Sequence, residues 1–95
     1  MATRQEFYDN LKKQLDDLNS SADRIQHEVS SAASDVMEKG KVKLDKLREA
    51  QKAAQQKLNE IKTAGSDTWA NLKQSAENGV NAVKHALSDI KSFFK

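Results

Sequence analysis

A chain of 95 residues with 16 basic and 14 acidic side chains, net charge +2, has room for one domain and little self-repulsion to keep it unfolded. It contains no proline and no cysteine, so no helix is stopped by ring geometry, and disulfides and thiolate chemistry are excluded. Leu, Ile, Val and Phe number 19 of the 95, about the 20% level below which chains tend toward disorder, and twelve alanines supply much of the remaining apolar surface.

Such a chain is expected to need a partner surface, its own copy or another protein, to be firmly folded. The lack of cysteine fits a reducing compartment, and the opening "MATRQEFYDN" lacks the apolar run of a signal peptide, so a cytoplasmic location is expected. No unbroken apolar run exceeds two residues, so no bilayer-spanning segment is expected and the protein reads as soluble or peripheral. Ala, Leu, Lys, Gln and Glu fill most positions, so the expected fold is a single all-α domain.

"TRQE" at residues 3 to 6 reads as a capping box, in which Thr3 accepts from the third helical amide while Glu6 reaches back. A helix from Thr3 to about Glu38, roughly 50 Å long, would carry an apolar stripe. It runs through Phe7, Leu11, Leu15, Leu18, Ala22, Ile25, Val29, Ala32 and Val36, at spacings of three and four that are helical. A second stripe runs through Leu44, Leu47, Gln51, Ala54, Leu58 and Ile61, where Gln51 could set register at some loss of stability. A third comprises Trp69, Leu72, Ala76, Val80, Val83, Leu87, Ile90 and Phe94.

From Val36 to Leu44 and from Ile61 to Trp69 the gap is eight residues, with Gly40 and Gly65 near the two midpoints. Two ideal turns take about 7.2 residues, so each gap rotates the stripe by about 80°. Either the chain turns at both glycines, or a longer helix passes through with two stutters. The Gly65 join has the stronger turn signals: Lys62 in the turn before it, a left-handed C′ position for Gly65, and Ser66 or Asp67 to cap the next helix. Gly40 lies in "MEKGKVK" with no capping residue just after it.

Charge is segregated. Residues 1–38 have net charge −4, residues 39–64 +5, and residues 65–95 +1. An acidic helix followed by a basic one favours antiparallel pairing of the two, within one chain or between copies. The architecture expected is an elongated antiparallel helical hairpin or three-helix bundle with coiled-coil-like packing. It is expected to self-associate into a homo-oligomer, because one copy is short of large apolar residues to cover three stripes. The packing residues assigned are Leu11, Leu15, Leu18, Ile25, Val29, Val36, Leu44, Leu47, Leu58, Ile61, Trp69 and Leu72. Trp69 is read as a core anchor at the helix junction, burying on the order of 200 Å².

Residues 46 to 87, "KLREAQKAAQQKLNEIKTAGSDTWANLKQSAENGVNAVKHAL", resemble small bacterial coiled-coil proteins described as stress-related. In these, "LxxKxxxAxxKLxxLKxAGxxAWxxLKxGxExAWxxLKxA" recurs near the C-terminus. Leu47, Leu58, Lys62, Ala64, Gly65, Trp69, Leu72 and Lys73 fit that pattern over about half the chain. Val83 stands where the second Trp would be, and Ser66–Asp67 replaces a more acidic pair. The resemblance implies long helices and a non-enzymatic role, and it carries over no catalytic residue.

The chemistry-bearing residues are sparse. His27 and His85 are far apart, and "HE" at 27–28 lacks the second histidine of a zinc helix, so both read as ordinary helix-surface residues. No pair of carboxylates is isolated among apolar neighbours for acid–base work. No catalytic, cofactor-binding or metal-ligating residue is assigned, and the protein is not expected to be an enzyme. "KGKVKLDKLREAQK", Lys39 to Lys52, could neutralise phosphates, but it has no aromatic to stack on bases. A solvated face, or the partner of the acidic first helix, ranks above nucleic-acid binding.

The tail "VNAVKHALSDIKSFFK" supplies candidate lipid-contact residues: Val80, Val83, Leu87, Ile90, Phe93 and Phe94, flanked by Lys84, Lys91 and Lys95. The competing reading packs the same face into a bundle. These readings lead to two functions: a structural or interaction protein with a protein partner, or a peripheral coat on a lipid or granule surface.

Overall fold

A computed structural model describes residues 3–65 and 68–93, and places them in three helices: α1 (Arg4–Ser30), α2 (Ser34–Thr63) and α3 (Trp69–Phe93). The protein is an all-α three-helix bundle in which every helix packs against the other two, a rod of 50 × 17 × 17 Å. No strand occurs among the described residues.

The Thr3 half of the expected N-terminal capping box forms. Thr3 has extended backbone, with φ −78° and ψ 167°, and its Oγ1 accepts from the Glu6 amide at 3.1 Å. The Glu6 carboxylate accepts from the same hydroxyl, Thr3 Oγ1 to Glu6 Oε1, at 3.2 Å.

The first turn is not where the sequence pointed. Helix α1 ends at Ser30, eight residues before Glu38, and the chain reverses over Ser31–Ala33. Gly40 lies within α2, buried. The physical reason is that Gly40 belongs to a stripe rather than interrupting one. Met37, Gly40, Leu44, Leu47, Gln51, Ala54, Leu58 and Ile61 recur at spacings of three and four. Val36, assigned to the core, is only half-buried, and Met37 packs against the core in its place. The eight-residue gap that signals the reversal therefore runs from Val29 to Met37, with Ser30, Ser31 and Ser34 inside it.

The second turn lies at Gly65 as expected, but by a different geometry. No residue in the described chain has positive φ, so Gly65 does not form a left-handed cap. Ala64 leaves α2 in extended conformation, φ −71° and ψ 147°, and its carbonyl accepts from the Arg4 guanidinium of α1. The Gly65 carbonyl then accepts from the Thr68 and Trp69 amides, both at 3.1 Å, and so opens α3. The expected caps Ser66 and Asp67 lie outside the described residues.

Cross-helix pairs set the directions. Asn19 meets Gln51 and Asp23 meets Arg48, so α1 runs antiparallel to α2. Lys43 meets Asp89 and Ala54 meets Gly79, so α3 also runs antiparallel to α2. The core unites all three stripes: Leu15, Leu47, Leu58, Ile61, Ile90, Val29, Val80 and Val83 are each at most 2% exposed. Leu11, Ile25 and Leu87 are also buried, while Leu18, Leu44, Trp69 and Leu72 pack half-buried against them. One copy thus buries most of its own stripes and leaves Leu18, Leu44, Trp69 and Leu72 partly exposed. Small residues make this feasible. A Cβ on Gly79 would lie 3.3 Å from the Cα of Ala54, so α2 and α3 approach backbone to backbone there.

Burial and capping each yield a test. Leu58→Ala should cost about 2–5 kcal/mol in urea-denaturation free energy, while Val42→Ala, at a site 59% exposed, should change it by less than about 0.5 kcal/mol. Ala33 occupies the N-cap of α2 with φ −61° and ψ 154° and makes no side-chain cap bond. Ala33→Asp should therefore raise the unfolding free energy by about 1 kcal/mol, read as an upward shift in melting temperature.

Candidate interaction surfaces

Four surfaces bear on function. At one end of the rod the start of α1, the end of α2 and the start of α3 converge. Trp69 stacks obliquely on Phe7, ring centroids 5.7 Å apart and planes at 44°. The Lys73 ammonium lies 5.4 Å from the centroid of Phe7. Trp69 is therefore the junction residue the spacing predicted, half-buried rather than enclosed. Tyr8, which the stripe omitted, is also buried in the core, at 9% exposure. Its signal was legible: it precedes Leu11 by three residues and Leu15 by seven, on the same helix face.

Between α1 and α3 lies an open groove of about 380 Å³. Phe7, Leu11 and Val80 contribute its apolar lining, and Asn10, Gln14 and Asn81 contribute amides. Gln14 Nε2 donates to Asn10 Oδ1 at 3.4 Å, so two of these amides engage each other. The amides let the groove accept and donate hydrogen bonds.

The basic stretch of α2 is divided between structure and solvent. Arg48 reaches α1, donating to Asp23 at 3.2 Å and to Gln26. It also donates to Gln51 at 2.8 Å, and Gln51 Nε2 donates in turn to Asn19. This network, part-buried at Gln51 and exposed at Asp23 and Gln26, ties one register of α1 on α2, the role Gln51 was expected to have. Lys43 pairs with Asp89 of α3 at 2.9 Å, and its ammonium lies 5.7 Å from the centroid of the Phe93 ring. Lys39, Lys41, Lys46 and Lys52 are exposed, interspersed with exposed Asp45 and Glu49. Of the six cations of the stretch, Arg48 binds the acidic first helix and Lys43 binds α3, while the other four face solvent.

The candidate lipid-contact face of α3 is inside the bundle. Val80, Val83, Leu87 and Ile90 are at most 4% exposed. Phe93 is half-buried, and Phe94 lies outside the described residues. Contact of these valines, leucine and isoleucine with lipid requires α3 to leave the core. No helix among the described residues is long and apolar enough to cross a membrane. His27 and His85 are both exposed, on α1 and α3, and the described residues contain no group of three or more His, Cys, Asp or Glu placed to hold a metal.

The class defined by this geometry is a small three-helix bundle with a continuous apolar core and charged outer faces. No family model, curated protein or solved structure matches the chain.

The junction cluster yields a direct test. Phe7→Ala removes the ring between Trp69 and the Lys73 ammonium. It should shift the emission of Trp69, the sole tryptophan, to longer wavelength and cost about 3 kcal/mol of unfolding free energy.

Proposed function

We propose that the protein is a non-enzymatic interaction protein, a rigid helical rod whose charged outer faces engage another protein or a second copy. The observation that carries this reading is the placement of the apolar stripes of all three helices in one core. That leaves the 50 Å length of the rod to present polar, charged side chains in fixed register. Register is held by the Asn19–Gln51–Arg48–Asp23 network, which supports a scaffold more than a deformable coat. Faces of mixed charge give specificity and speed of encounter to protein partners. The stress-related role that the resemblance over residues 46 to 87 implies belongs to the same proposal, as do coiled-coil-like assembly and a cytoplasmic setting.

A second reading, a peripheral coat on a lipid or granule surface, is favoured by one feature of α3. Its apolar face, Val80, Val83, Leu87 and Ile90, is flanked by exposed Lys84 and Lys91. Such a helix could exchange core contacts for an anionic surface. The rod reading ranks first because that exchange forfeits about 1.5–3 kcal/mol for each large side chain withdrawn from the core until lipid replaces it.

Thermal denaturation followed by circular dichroism, with and without vesicles of anionic phospholipid, separates the two. The rod reading expects one cooperative transition, unchanged helicity with vesicles, and no blue shift of Trp69 emission. Helicity or Trp69 emission that responds to vesicles would establish the coat reading instead.

A further inference from the structure

We propose that Ser31–Ala33 is a hinge through which α1 exchanges between two copies of this chain, giving a domain-swapped dimer. The inference rests on the self-association contained in the rod reading, and supplies a mechanism for it. Three observations meet at this connection.

The first is local. The reversal between α1 and α2 contains no glycine and no proline, and no residue in it has positive φ. Ser31 is already in the helical region, with φ −96° and ψ −3°. Ala33 departs from helix chiefly in ψ, at 154° with φ −61°. Alanine is among the least favourable N-cap residues, and this one makes no side-chain bond to the amides of α2. Nothing in the connection itself enforces the turn.

The second is the sequence pattern. Ala32 and Val36 continue the stripe of Ile25 and Val29 at spacings of three and four. The same residues are thus compatible with helix straight through the reversal as well as with the turn that the serines and the Val29–Met37 gap mark, and the packing of α1 on its own α2 and α3 selects the turn. A short connection that its own residues code only weakly is the arrangement that invites swapping.

The third is what an exchanged α1 would meet. The hydrogen bonds that hold α1 to the hairpin of α2 and α3 involve Arg4, Asn19, Asp23, Gln26, Arg48, Gln51 and the Ala64 carbonyl. All can be remade with identical partners on a second copy, with the same antiparallel sense. The unpartnered face left on the hairpin when α1 swings away is complementary to α1 of another copy, and that copy is the occupant proposed. In the dimer, residues 4–63 form one helix of about 90 Å, and two such helices run antiparallel. The gap from Val29 to Met37 rotates the two halves by about 80°, which sets the angle between the two bundles without interrupting either core.

Because exchange replaces an intramolecular association with an intermolecular one, the dimer is favoured by concentration. The test is light scattering with small-angle X-ray scattering on the full chain, refolded from denaturant at low and at high concentration. The expected result is a species of twice the 10.6 kDa chain mass that grows with refolding concentration and has a longest dimension of at least about 90 Å.

Ser34→Pro is the decisive variant. Proline fits the first position of α2, and the extended Ala33 before it is already the conformation that a following proline requires. Within a continuous helix the same proline removes a hydrogen bond and clashes with the preceding turn. The variant should remain a folded bundle by circular dichroism, with the association constant lowered by at least about 100-fold. Ala33→Asp, a second variant that caps α2 in the bundle, should shift the balance in the same direction.

Helix exchange is read separately in Asn19→Cys/Gln51→Cys, treated with a short bismaleimide. An exchanged dimer becomes covalent, whereas copies associated by their outer faces give cross-linked monomers. A dimer that persists in Ser34→Pro, or that yields only cross-linked monomers, overturns the hinge and leaves self-association standing. A chain that stays monomeric after refolding at every concentration overturns both.

Discussion

The structure depends on the close approach of α2 and α3. With few large apolar residues available, a core can be dense only if the helix backbones come near enough for those residues to interlock. Gly79 lying against Ala54 permits that approach. Ala22, Ala54 and Ala76, all at 1% exposure or less, keep the axis narrow along the rod. Leu47, Leu58 and Ile61 of α2 then join Val80, Val83 and Ile90 of α3 in one buried core. A chain that looks apolar-poor by composition forms this core because Ala22, Ala54, Ala76 and Gly79 lie where helices meet, while Ala33, Ala53, Ala70 and Ala82 are left on the surface.

Helix α1 is joined to this pair in a different manner. Its apolar stripe closes the core, but its register is tied by side-chain polar groups: Arg48 to Asp23 and Gln26, and Gln51 to Asn19. Polar bonds of this kind specify one alignment more than they add stability, since half-exposed ion pairs contribute little. Both ends of the rod have further ties. Arg4 satisfies the Ala64 carbonyl, and Lys43 bridges to Asp89 beside the Phe93 ring. The division between a close-packed hairpin and a polar-registered third helix underlies both the rod reading and the exchange of α1.

Function enters through the residues that the core leaves outside. The apolar face of α3 looks like a lipid-binding helix when read alone, because helical spacing and flanking lysines are the same whether such a face meets a membrane or two neighbouring helices. The bundle uses that face internally. The charged stretch of α2 is similarly ambiguous in sequence, and the contacts of Arg48 and Lys43 assign part of it to neighbouring helices.

The sequence by itself determined that the chain is helical and that it carries apolar stripes at helical spacing; of the two eight-residue gaps it marked, the one at Gly65 holds a reversal and the one at Gly40 does not. Helicity and stripe spacing are local properties: they derive from propensity and from the 3.6-residue period, which need no knowledge of the partner surface. Trp69 at a junction and Gln51 as a register residue were legible on the same grounds. Only the tertiary structure decided which eight residues hold the first reversal. Val36 and Met37 are adjacent and both apolar, so either could open the second stripe, and Gly40 reads as a breaker until its position in that stripe is counted. Choosing between them requires knowing which face of α2 meets α3. That is a property of the packed bundle, where Gly40 and Met37 turn inward and the weakly coded Ser31–Ala33 yields to the burial gained by folding α1 back.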